Sequence, residues 1–112
     1  MSNSIARLYF IHEKIGDIFT FRKRFSTIED LLNDKMGFDA VLMSLLQIGE
    51  TLHKLGDSPY ATDLPIKGAY DMRNFIAHDY EGVNKAIVDD IIRHHLPALE
   101  TKINDIIQKE KS

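Results

Sequence analysis

The run from Arg73 to Tyr80, Arg-Asn-Phe-Ile-Ala-His-Asp-Tyr, places a guanidinium, an amide, an imidazole and a phenol close together in the chain. A neutral imidazole at His78 can take the proton from a ribose 2′-hydroxyl or return one to a leaving oxygen. The Arg73 guanidinium can brace a phosphate through paired hydrogen bonds. Asn74, one turn before His78, can orient the ring or the substrate. These groups together supply what cleavage of a phosphodiester requires. Without a metal they suit RNA, which carries its own nucleophile, better than DNA. Each also has an ordinary reading: Arg73 paired with Asp71 or Asp79, Tyr80 packed under a bundle, and His78 at a helix end.

The element that holds these residues reads as a helix beginning at Pro65 or just after, since proline is tolerated in a first turn. On it Lys67, Asp71, Asn74 and His78 share one polar stripe, while Ala69, Met72, Phe75 and Ile76 point the other way. Arg73 and Tyr80 lie on a further stripe with Ala77 between them. Arg73 is about 140° around the helix from His78, so one straight helix does not aim both at one atom. The helix is therefore expected to end near His78, with Gly82 as breaker, and the site to be completed by another helix or another subunit.

The other elements follow the same periodicity. Ser2 or Ser4 can cap a first helix carrying Ile5, Leu8, Ile11, Ile15, Ile18 and Phe19 to about Phe21, closed by Arg22, Lys23 and Arg24. Ser26 or Thr27, followed by Glu29 and Asp30, opens a short helix with Ile28, Leu31 and Leu32 that Gly37 stops or resets. Phe38, Val41, Leu42, Leu45, Ile48, Leu52 and Leu55 trace a long apolar face ending at Gly56. Gly49 lies within it, where glycine costs about 1 kcal/mol against alanine, so a second backbone is expected to approach there. Glu50 sits on the edge of that face.

Gly56 to Pro65 reads as a loop. Beyond Gly82, Asn84 caps a helix with Ala86, Ile87, Ile91 and Ile92. Pro97 interrupts or kinks this helix, and Leu99, Ile103, Ile106 and Ile107 carry the pattern to a tail expected to fray from about residue 108. The expected architecture is all-α, one domain over 1–112, a bundle of four or five helices.

With 112 residues and 44% apolar content, one core can form without disulfides or metal, and the absence of cysteine fits a reducing compartment. No signal-peptide order and no apolar run of roughly 20 residues is present, which points to a cytoplasmic protein with no membrane partner. A net charge of −3 argues against a dedicated DNA-binding surface but leaves room for a local basic cleft. His94 and His95 with Asp90 are not expected to bind metal, since adjacent histidines point apart and no third ligand is evident. His12 and His53 read as solitary helix-surface histidines.

Arg73, four residues, His78, one residue and Tyr80 resemble the Arg-x4-His-x-Tyr motif of the HEPN superfamily, specifically its HepT-like toxins. Leu46 to Glu50 resembles the second long helix of that family, and Leu96-Pro97 the Leu-Pro of its last helix. The likeness extends from about Ile5 to Ile107. The linker between Leu55 and Pro65 is short against the family pattern. The resemblance implies a dimerising helical bundle in which Arg73 and His78 of both chains build a metal-independent ribonuclease site, with no cofactor. It also implies a toxin of a type VII-like toxin–antitoxin system. In such a system a nucleotidyltransferase antitoxin transfers AMP to Tyr80, placing an anionic group against Arg73 and His78.

The expected roles are His78 as general acid or base, Arg73 as phosphate clamp, Asn74 as orienting residue and Tyr80 as modification target, with Asp79 and Glu50 in support. The alternative is a non-catalytic subunit that binds a nucleotide or docks the nucleotidyltransferase.

Overall fold

In the computed structural model, which describes residues 3–111, every regular element is helical. Helix α1 (Asn3–Lys23) precedes the short α2 (Ile28–Asn33) and the long α3 (Lys35–Lys54). A single 3₁₀ turn (Ala61–Asp63) interrupts the following loop before α4 (Ile66–His78). Then α5 (Lys85–Asp90) runs through a π-helical turn (Ile91–His95) into α6 (Leu96–Lys111) as one continuous rod. The result is an all-α bundle of five helical rods, with α3 at its centre packed against α1, α2 and α4.

Leu8, Ile11, Ile15 and Ile18 of α1, Leu42, Leu45 and Leu52 of α3 and Ile103 of α6 are all removed from solvent and form one core. The three-and-four spacing of these residues gives each helix a single apolar stripe, and burying those stripes together is what holds the bundle.

Local chemistry sets the helix ends. Thr27 Oγ1 accepts from Asp30 N–H at 3.0 Å and starts α2. Asn84 Oδ1 accepts from Ala86 N–H at 2.8 Å and starts α5. The break between α2 and α3 falls at Asp34 and not at Gly37: Asp34 Oδ2 accepts from Gly37 N–H at 2.7 Å, and α3 is already under way. Gly37 is needed for a different reason, since a Cβ there would lie 2.6 Å from the Leu31 carbonyl oxygen. Ser4 lies inside α1, so it is not the cap, and Ser2 falls outside the described residues.

Pro97 neither ends nor breaks its helix. Proline lacks the N–H for an i to i−4 bond, and the turn before it widens so that Leu96 N–H donates to the Ile91 carbonyl. The extra residue of that turn brings both imidazoles to one carboxylate: His95 Nε2 lies 3.2 Å from Asp90 Oδ2 and His94 Nε2 lies 3.9 Å from Asp90 Oδ1. The two rings therefore do not point apart as ideal α-helical spacing predicts.

Helix α6 is helical through Lys111, into the segment expected to fray. There Tyr60 Oη donates to Glu110 Oε1 at 2.6 Å and ties the α3–α4 loop to the end of α6. Phe75 and Ile87, assigned to apolar faces by their spacing, are about half exposed, at 48% and 47%. No described helix is long and apolar enough to cross a membrane.

Candidate functional site

Helices α3 and α4 lie antiparallel, and Gly49 is the reason their axes come close. A Cβ at Gly49 would sit 2.6 Å from Arg73 Cβ and 2.8 Å from the Ala69 carbonyl oxygen. The glycine inside an otherwise strong helix thus marks the approach of a second backbone, as its helical cost predicts. The approach also fixes Arg73, whose side chain leaves α4 at the seam and reaches α3.

Two groups hold the Arg73 guanidinium. Its Nη1 donates to Asn74 Oδ1 at 2.8 Å. Its Nε is buried and forms an ion pair with Glu50 Oε1, off the line of a hydrogen bond. Asn74 therefore meets Arg73, and among the described residues it makes no hydrogen bond to the His78 ring. The Arg73 partner is Glu50, whereas Asp71 takes Lys67 at 2.8 Å. Glu50 follows Gly49, so the residue that lets the helices approach and the residue that holds the guanidinium are neighbours in sequence.

His78 is the last residue of α4 and is exposed. Among the described residues it has no hydrogen-bond or ion-pair partner. Asp79 turns the chain out of the helix and accepts from Gly82 N–H through Oδ1 at 3.1 Å. Its carboxylate is thereby engaged in the turn and lies close over Gly82, so that a Cβ at that position would turn it aside.

Tyr80 folds back on the seam, partly buried against the core, and its Oη donates to the Asp39 carbonyl of α3 at 2.9 Å. Burial, and then the nearby Asp39 charge, raise the phenol's pKa above its ordinary value of 10.0. Asp39 escaped the sequence reading because a backbone acceptor leaves no side-chain signal.

At the other end of the seam the His53 and Tyr70 rings stack with centroids 4.0 Å apart. His53 is therefore not solitary.

The seam thus carries a guanidinium held from two sides, an exposed imidazole and a phenol within one α3–α4 hairpin. Phosphate would meet Arg73 through the guanidinium nitrogens that Glu50 and Asn74 leave open. A model of the family described as "Ribonuclease HepT-like" matches residues 11–106. The chain belongs to the HepT-like ribonuclease family.

A protein named "Putative RNase" from Methanocaldococcus jannaschii is 34% identical to this HepT-like chain over 106 residues, 92% of the chain and 86% of that protein. One of the same designation from Caldanaerobacter subterraneus is 33% identical over 87 residues, 76% of the chain and 78% of that protein. A second from Methanocaldococcus jannaschii is 30% identical over 105 residues. No solved structure gives a significant match.

An apolar groove of the HepT-like bundle lies elsewhere, between α4 and the α5–α6 rod. It encloses about 350 Å³ over Ile48, Leu52, Met72 and Leu99. None of Arg73, Asn74, His78 and Tyr80 lines it.

Proposed function

We propose that this HepT-like chain is an RNA endonuclease toxin whose site is built on the α3–α4 seam and completed in a homodimer. The observation that carries the reading is Arg73, partly exposed and held by Glu50 and Asn74, with His78 exposed at the end of the same helix.

In this mechanism neutral His78 takes the proton of a ribose 2′-hydroxyl as its oxygen attacks the adjacent phosphorus. Arg73 braces the phosphate oxygens as negative charge grows on them. The bond to the 5′-oxygen breaks, an imidazolium donates the proton to the leaving oxygen, and a 2′,3′-cyclic phosphate remains. A second protomer supplies the second imidazole, which accounts for the divergence of Arg73 and His78 around one helix.

The same reading assigns Tyr80 as the target of a nucleotidyltransferase antitoxin. Its phenol oxygen attacks the α-phosphorus of ATP, pyrophosphate leaves and the phenolic proton is lost. The Tyr80 hydroxyl must first release the Asp39 carbonyl, since that bond and burial both favour the neutral phenol. The transferred AMP then occupies the phosphate position beside Arg73 and excludes RNA.

The test is cleavage of a mixed RNA by the unmodified protein, with the intact mass followed before and after incubation with the nucleotidyltransferase and ATP. Cleavage that disappears as one adenylyl group arrives on Tyr80 is the expected result. An inert parent with an unmodified Tyr80 would turn the assignment to a nucleotide-binding or partner-docking subunit.

A further inference from the structure

A second basic depression lies on the same bundle, across the α3 ridge from Arg73. It has a volume of about 380 Å³ between the first turns of α1 and the last turn of α3, and Arg7, Phe10, Thr51 and Lys54 line it. Thr51 closes the floor, its hydroxyl spent on the Gln47 carbonyl at 2.7 Å.

Among the described residues, five of the fourteen Lys and Arg side chains are answered by an acid, including Lys14 by Asp17, Lys67 by Asp71 and Arg93 by Asp89. Arg7 and Lys54 are not: neither has an ion-pair or hydrogen-bond partner among the described residues. The nearest carboxylate along α3 is Glu50, one turn before Lys54, and it is held by Arg73. Phe10 lines the same depression and is 37% exposed, with the Lys14 ammonium 5.4 Å from its ring centroid.

We propose that this depression is a subsite for single-stranded RNA, in which Arg7 and Lys54 hold a backbone phosphate and a base stacks on Phe10. Unpaired cations around an exposed ring are the combination that binds single strands without reading sequence. Lys54 stands about 6 Å along α3 from Glu50, and therefore close to the Arg73 guanidinium that Glu50 holds. A strand cut at the seam can thus continue over the α3 ridge into the depression. The inference rests on the ribonuclease reading for its substrate, and it adds a grip on nucleotides flanking the scissile bond.

The experiment measures fluorescence anisotropy of a fluorescein-labelled oligouridylate of about 12 nucleotides. The full-length chain carries His78→Ala throughout, so that the probe survives. Arg7→Gln with Lys54→Gln keeps the side-chain stems and removes both charges, and Phe10→Leu keeps an apolar side chain and removes the ring. Lys23→Gln with Arg24→Gln removes the same charge from the exposed far end of α1, about 24 Å from Arg7.

The expected result is about tenfold weaker binding for the Arg7 and Lys54 pair, with a salt slope shallower by about 0.7 for each phosphate no longer neutralised. Phe10→Leu weakens binding about fivefold. The far-end pair has a smaller effect than either. Binding that is absent in the His78→Ala parent, unchanged by the depression variants, or weakened as much by the far-end pair overturns the proposal. Cleavage by the chain with His78 intact is read in parallel. Cleavage with an unaffected depression sinks the subsite alone, and depression-dependent binding without cleavage sinks the ribonuclease reading alone.

Discussion

Gly49→Ala and Gly16→Ala are the same substitution in the interiors of two helices, and the structure gives them opposite signs. In isolation each replacement favours the helix by about 1 kcal/mol, because glycine has more backbone entropy to lose. At Gly16 an added Cβ meets nothing within 4 Å, so the gain is kept. At Gly49 the Cβ would lie 2.6 Å from Arg73 Cβ and 2.8 Å from the Ala69 carbonyl, where ordinary contact begins at 3.4 Å. Neither atom can rotate away, so α4 must move by more than half an ångström.

Overpacking of this kind costs up to about 3 kcal/mol, which leaves a net loss of about 2 kcal/mol after the helical gain. For a domain of this size that is a fall in Tm of roughly 8 °C. The shift carries Arg73 with it, and a displacement of that order in a phosphate clamp lowers cleavage about tenfold. Thermal denaturation followed by circular dichroism, with RNA cleavage measured well below Tm, reads both effects. A Gly49→Ala protein as stable as Gly16→Ala, with parental cleavage, would show that the seam is loose and that it does not position Arg73.

Three further outcomes follow from single contacts. Tyr80→Phe removes the bond to the Asp39 carbonyl and is expected to lower stability by about 1 kcal/mol in denaturant unfolding. The raised phenol pKa also gives a pH dependence. The unfolded chain releases the Tyr80 proton first, so this contribution is complete below pH 10.0 and is lost as pH climbs through the higher folded value. Alkaline unfolding curves of parent and Tyr80→Phe should therefore converge above pH 10.0, and a constant gap between them would contradict the assigned cause. Asn84→Ala takes the cap from α5, with an expected loss of about 1 kcal/mol, whereas Asn84→Asp should retain it.

Much of this fold could be read from the chain because each long helix carries one apolar stripe and several helix starts carry a capping side chain or a proline. Thr27, Asn84 and Pro65 mark starts that the structure places within a residue of where the pattern puts them. What stayed hidden depends on tertiary approach. Gly37 reads as a stop in sequence, yet it serves the close contact with the Leu31 carbonyl and leaves the break to Asp34. Pro97 reads as a kink, but the rod absorbs it by one wider turn, which in turn swings His95 onto Asp90.

The site was legible in part for the same reason. The spacing of Arg73, Asn74 and His78 shows which groups share a helix and not which face another helix covers. Gly49 was the readable clue to the seam, and Glu50 beside it is the partner that helical spacing within α4 has no means of revealing. The Tyr80 bond to a backbone carbonyl had no signal at all.

The most direct test of the seam as a ribonuclease site is cleavage of a mixed RNA, in the presence of chelator, by parent, Arg73→Ala and His78→Ala matched for folding and for dimer content. Cleavage by the parent and its loss in both variants are the expected results. Cleavage by His78→Ala at the parental rate would place the chemistry away from the α3–α4 seam.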